Sequence, residues 1–131
     1  MPETQTESPP AGAPMVRVIA MPKDTNVNGD IFGGWLMSQM DLAAGNLASR
    51  TSGGRCVTVS AEAMSFLRPV KVGDEVSVFC ELLATGRTSM KIAVETWRRA
   101  RVGGEECRVT KAVFTFVAID MEGKPRPIKP D

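Results

Sequence analysis

Histidine and tyrosine are both missing from this 131-residue chain, and aromatic residues make up only 5% of it. Without histidine there is no Ser-His-Asp or Cys-His catalysis, no imidazole-ligated zinc and no imidazole acid–base chemistry. Any catalysis must come from carboxylates, amides, hydroxyls, backbone N–H groups or a thiol. Long apolar runs are absent as well. None approaches the roughly 18 residues of a membrane span, and the N-terminus lacks a basic stretch followed by an apolar one. Cysteine is scarce: Cys56, Cys80 and Cys107 are far apart, odd in number and without metal-ligand spacing. They read as reduced, buried, cytoplasmic thiols, with no metal site and no cofactor expected. Nor is there an excess of charge of one sign: 16 basic residues face 15 acidic ones. A net charge of +1 argues against nucleic acid as a partner, and the missing apolar span against a membrane.

What is present is ordinary for a globular protein, 43% hydrophobic and 24% charged, at a length that suits one core. Residues 1–14, "MPETQTESPPAGAP", have almost nothing to bury and read as a disordered tail. The folded domain is then 15–131, and no repeat is visible in it. "MVRVIAM" (15–21) reads as a short strand, and "PKDTNVNGD" (22–30) as a loop of turn formers. A helix is expected from Gly33–Gly34 to about Arg50, where "TSGGR" stops it. Leu36, Met40, Ala43 and Leu47 form its apolar stripe. Long strands follow at 55–66, 75–85, 88–100 and 107–120, joined by short turns, with "MEGKPRPIKPD" leading out. Such strands imply an antiparallel sheet, and one apolar helix is most simply buried by wrapping the sheet around it. The fold class is α+β, with sheet edges able to pair across a dimer.

Asp41 is the residue this pattern does not explain. Its helical neighbours at i±3 and i±4 are Met37, Ser38, Ala44 and Gly45, none of them basic. On the helical wheel it lies beside the core stripe, among Gly34, Met37, Ser38, Gly45 and Ala48, most of them small. Small side chains let another backbone or a thin ligand approach. That would account for Gly45, which costs a helix about 0.5–1 kcal/mol against alanine. Two readings stay open: a solvated acid beside the core, or a carboxylate in a cleft acting as general base or nucleophile. Gly33 and Gly34 add a second feature. At a helix start they expose N–H groups that could polarise a carbonyl or hold an oxyanion, though a plain glycine-rich helix entry looks the same.

The blocks "MPKDTNVNGDIFGGWLMSQMD", "VTVSAEAMSFLRPVKVGD", "GRTSMKIAVETW" and "VTKAVFTFVAID" resemble the YciA-like acyl-CoA thioesterases, hydrolases of the hotdog fold. The resemblance covers about residues 15–128, with Asn26, the glycine pair and Asp41 in the family's order and spacing. It implies a long helix wrapped by an antiparallel sheet, homodimers sharing one continuous sheet, and a trimer of dimers (a hexamer). It also implies acyl-CoA as substrate, coenzyme A as product, and active sites between subunits. Asp41 of one subunit would activate water or attack the thioester, Asn26 of the other would position the water or the thioester, and Gly34 would supply the oxyanion donor. Gly33, Arg87, Thr88 and Ser89 become candidates for substrate binding, because "GRTS" resembles the segment that touches coenzyme A. Arg68 and Arg55 are further phosphate candidates. Arg98, Arg99 and Arg101 read as a solvated strand end, Trp35 and Trp97 as packing, and Asp24 and Asp30 as loop-capping acids. A dehydratase of the same fold would need a histidine. A non-catalytic acyl-CoA-binding or ligand-sensing module is the other reading.

Overall fold

A computed structural model describes residues 8–128, and the first half of the expected tail, residues 1–7, lies outside them. Residues 8–14 contain no helix or strand. The elements are β1 (Val16–Ile19), a short 3-10 turn (Pro22–Asp24), α1 (Gly33–Ser52), β2 (Cys56–Phe66), β3 (Glu75–Thr85), β4 (Ser89–Arg99) and β5 (Glu106–Ala118). All strand pairs are antiparallel and the sheet order is β1-β3-β4-β5-β2. β1 is shorter than the 15–21 the sequence suggested, because Ala20 has already turned to hydrogen-bond with Gly73 and Asp74.

α1 starts without a side-chain cap: Phe32 is the N-cap residue, in extended conformation. It ends at Gly53, whose φ of 74° is the left-handed conformation that favours glycine, with its N–H bonded to Ser49 O. One face of α1 packs on the sheet: Met40, Ala43, Ala44 and Ala48 meet Val78, Met90, Ile92, Val94, Phe114 and Phe116. The side chains of β4 alternate accordingly, with Met90, Ile92, Val94 and Thr96 fully buried beneath the helix. A second cluster under the helix start joins Trp35 and Leu36 to Ala20, Ile31, Val70, Val76 and Val109. Leu47, expected in the core stripe, is only half-buried, and Ala48 takes the central place. The core face is thus rotated toward Asp41.

The segment after β5 does not lead away from the fold. Asp120 Oδ1 accepts the N–H groups of Glu122 and Lys124, and the Lys124 bond chiefly holds its carboxyl below the usual range. The turned chain returns to bury Ile128 in the main cluster. Arg126 then donates to the carbonyl oxygens of Ser52, Ile119 and Arg55, tying together the helix end, the β5 exit and the β2 entry. Gly54 makes room for it, since a Cβ there would lie 2.7 Å from the guanidinium. A run of proline and charge hid this contact from the sequence reading.

Trp35 and Trp97 are both buried, and the Trp97 indole N–H donates to Glu95 Oε1. Arg98 is not at a solvated strand end: it is mostly covered and faces the buried Asp74 carboxylate at 3.9 Å. The three cysteines are free. Burial pushes the Cys80 thiol up to about 12, so hardly any of it is thiolate at neutral pH. We expect Cys80 to resist iodoacetamide in the native protein and to react only on unfolding. Peptide mass mapping checks this, and rapid native labelling at Cys80 would contradict the packing described.

Candidate active site

Asp41 stands on the flank of α1 that faces β2, exposed to solvent in the single chain. Its Oδ1 accepts a 2.6 Å hydrogen bond from Thr58 Oγ1, and among the described residues Oδ2 has no partner. Strand alternation places Cys56 and Thr58 on the same face of β2. The β2–β5 register shifts between Thr58 and Ser60, with Val59 the extra residue, and again between Glu62 and Ser65. Plain alternation read from the sequence therefore cannot carry a face through the strand. A short O–H···O⁻ bond is charge-assisted, and here it fixes one carboxylate oxygen while leaving the other to the open space beside it.

That space is a groove between α1 and β2, divided by the Asp41–Thr58 bond. Toward the helix start, about 350 Å³ is lined by Gly34, Met37, Ser38, Asp41, Thr58, Ala61 and Phe114. Toward the helix end, about 330 Å³ is lined by Asp41, Leu42, Gly45, Asn46, Ser49, Cys56, Thr58 and Phe116. The small-residue flank seen on the helical wheel is thus one wall of this groove, apart from Ala48, which is buried in the core. A Cβ on Gly45 would meet Phe116 at 3.6 Å, an ordinary contact.

Gly34 shares the first half of the groove with Asp41, roughly 10 Å along the axis for seven residues of helix. Among the described residues the N–H groups of Gly33 and Gly34 have no acceptor, since the first bonds back to Phe32 O come from Trp35 and Leu36. Phe66 and Phe32 lie over the glycines, 3.3 Å from where each Cβ would stand. The helix start therefore presents free donors and a positive dipole end at one side of the carboxylate's groove.

Asn26 lies elsewhere in the chain and does not line this groove. Its loop is closed on itself: Asn26 N–H bonds to Asp30 O, and Asn26 Oδ1 accepts the N–H groups of Asn28 and Asp30. Backbone N–H groups only donate, so the atom facing them is the amide oxygen, and the side-chain NH₂ is turned away from the loop. Asp30 pairs with Lys71 at 2.8 Å, holding the loop to the β2–β3 connection, whereas Asp24 is the buried acid that accepts Met21 N–H.

The remaining candidates are scattered in the single chain. Arg87 is exposed on the β3–β4 turn and lines a separate cavity of about 670 Å³ with Thr51, Leu82, Thr85, Gly86, Pro127 and Ile128. Thr88 O accepts Ala118 N–H, and Ser89 begins β4. Arg68 donates to Arg108 O beyond the far end of β2 from Thr58, and Arg55 donates to the carbonyls of Asp120 and Met121. Thr58, Asn46 and Ser49 were missed from sequence, because nothing local marks a threonine on a slipped strand or a polar pair on an exposed helix face. Among the described residues no group of three or more Cys, Asp or Glu could hold a metal ion, and no helix is long and apolar enough to cross a membrane.

One long helix laid across an antiparallel sheet of order β1-β3-β4-β5-β2 defines the hotdog class of protein, and here Asp41 stands near the middle of that helix. Residues 28–104 match the model of the thioesterase superfamily. An uncharacterized acyl-CoA thioester hydrolase of Zymomonas mobilis is 51% identical over 121 residues, 92% of this chain and 81% of that protein. The acyl-CoA thioester hydrolase YciA of Salmonella typhimurium is 47% identical over 128 residues, 95% of this chain and 96% of the other. A solved structure of a hexameric, broad-specificity acyl-coenzyme A thioesterase, in an aspartate-to-alanine mutant form, superposes with a TM-score of 0.87. It is 48% identical and the match covers 92% of this chain and 88% of that one. The chain belongs to the thioesterase superfamily, within its YciA-like group of acyl-CoA thioester hydrolases.

Proposed function

We propose that this protein is an acyl-CoA thioesterase, hydrolysing acyl-CoA to the free acid and coenzyme A. The observation that carries the reading is the Asp41–Thr58 bond set in a groove that also holds the Gly34 N–H, which has no acceptor among the described residues. A thioester lying in the groove brings its carbonyl oxygen toward the Gly34 N–H, where developing negative charge is stabilised. Asp41 Oδ2, the free oxygen, takes a proton from the attacking water or attacks the carbonyl carbon itself. Thr58 holds the carboxylate in one orientation. Collapse of the tetrahedral intermediate expels the coenzyme A thiolate, giving the free acid directly when water attacks, or an acyl–Asp41 anhydride that water then hydrolyses when the carboxylate attacks. The aspartate-to-alanine form of the similar thioesterase fits a reading that centres on an acid.

Residues 15–131 act as one domain behind the 1–14 tail, and the working unit is a homodimer within a hexamer. β2 supports this: it is an 11-residue edge strand, mostly exposed, that presents Val57, Val59 and Phe66. An unpaired edge of this length is a template for a second copy, and a two-fold axis pairs it with itself. The partner then supplies Asn26, while Gly33, Arg68, Arg87, Thr88 and Ser89 contact the substrate, the arginines as phosphate ligands. Free cysteines and the absence of a spanning helix among the described residues support a cytoplasmic site of action.

The direct test is thiol release from acetyl- and butyryl-CoA by the purified protein. A folded, homogeneous preparation that releases no thiol from either ester overturns the reading. The positioning role of Thr58 has its own signature. Thr58→Val keeps the shape but frees the carboxylate, and should lower kcat by about ten- to a hundredfold with little change in KM. Thr58→Ser should restore most of the loss, and a serine variant as poor as valine would remove the hydroxyl from the mechanism.

A further inference from the structure

Resting on the thioesterase reading, we infer that the acyl chain of the substrate runs from Asp41 toward the helix start, and that Met37 and Ala61 set which chains fit. The two halves of the groove differ in chemistry. Toward the helix start the side chains reaching the space are Met37, Ala61 and Phe114, besides the Asp41–Thr58 pair. Ser38 also lines it, but its hydroxyl donates to Trp35 O at 2.7 Å, so its hydrogen is already used. With the Gly34 N–H taken by the thioester oxygen, no described residue in this half offers a polar ligand a further free donor. A methylene chain loses no hydrogen bonds there and leaves water behind.

Toward the helix end the lining is of the opposite kind. Asn46 is exposed and its side chain bonds to no other described residue, and Ser49 Oγ lies 3.4 Å from Cys56 Sγ. An amide and a hydroxyl on one helix face match the amides of the pantetheine arm. The thioester carbon sits at the Asp41–Thr58 divide, so the two arms leave it in opposite directions.

Within the apolar half, two side chains meet the chain at different depths. Met37 stands one helical turn from Asp41 and is half-exposed, an unbranched thioether that can swing to admit chains of different bulk. Ala61 faces it from β2, register partner of Phe114. At Ala61 only a methyl group keeps the space open, and a larger residue would close it.

The test is the acyl-length profile of kcat/KM over acetyl-, butyryl-, octanoyl- and palmitoyl-CoA. Ala61→Leu should lose tenfold or more on octanoyl- and palmitoyl-CoA relative to acetyl-CoA, the scale of a methylene excluded from a pocket. Met37→Ala should shift the profile the other way, toward longer chains. Asn46→Ala should raise KM for all four esters alike. Should Ala61→Leu prove unstable, Met37→Trp tests the same wall from the helix side. Both wall variants hydrolysing the four esters in wild-type proportion would overturn the inference, as would a length-dependent loss at Asn46→Ala. Wild-type protein inactive on every ester would instead overturn the thioesterase reading on which it rests.

Discussion

Asp41→Ala is expected to lower acyl-CoA hydrolysis by about 10² or more, the usual scale for removing a general base. The fold should not register the change. Asp41 is solvent-exposed, the only bond of its side chain to a described residue is with Thr58, and alanine is the better helix former at that position. Asp41→Asn is the sharper variant. Its amide oxygen can still accept from Thr58, so shape and hydrogen bond persist while the charge and the basic oxygen are lost. Equal losses in Ala and Asn, with unchanged melting temperatures, place the chemistry on the carboxylate. An asparagine variant turning over near the wild-type rate would show that the oxygen paired with Thr58 matters and the free one does not.

Asn26→Asp should be as damaging as Asn26→Ala, a loss of about 10²–10³ in kcat, as for removing one oxyanion donor. The argument rests on which atom is already engaged. The two backbone N–H groups of Asn28 and Asp30 occupy Oδ1, so only the NH₂ is available to a substrate. Aspartate keeps the loop acceptor and discards that donor. Had Asn26 served by accepting a hydrogen bond from water, aspartate would serve as well, and retained activity in Asn26→Asp would establish that role. Mixing inactive Asn26→Ala with inactive Asp41→Ala places the residue in the assembly. In a mixed dimer one shared site carries both substitutions and the other neither, so part of the activity should return. Verified subunit exchange without any recovery would confine each site to a single chain.

Much of the architecture could be read directly from the chain. The helix begins at Gly33 as expected and overruns Arg50 by two residues, because Gly53 and not the preceding Thr-Ser sets its end. β3 and β4 fall within a residue of their expected limits, since the turns at 67–74 and 86–88 contain the glycines that stop them. Asp41 stood out for the same reason: helical periodicity fixes its flank, and nothing on that flank could neutralise it. What escaped the sequence lies in long-range relations. Thr58 meets Asp41 across 17 residues and on a strand whose phase slips beside it. Arg126 reaches Ser52 across 74 residues. Neither contact leaves a local trace in composition or periodicity.

Gly45 shows what the groove asks of the helix that forms its wall. A methyl group there would touch Phe116 at an ordinary 3.6 Å, so packing within the chain does not forbid alanine. Alanine would favour the helix by about 0.5–1 kcal/mol, yet its methyl would project into the half of the groove lined by Asn46 and Ser49. A helix optimised only for durability would be filled at this point. A stabilising substitution in α1, Gly45→Ala, is therefore also one that narrows the passage beside Asp41. Engineering this chain for heat resistance and engineering it for turnover would pull the same residue in opposite directions.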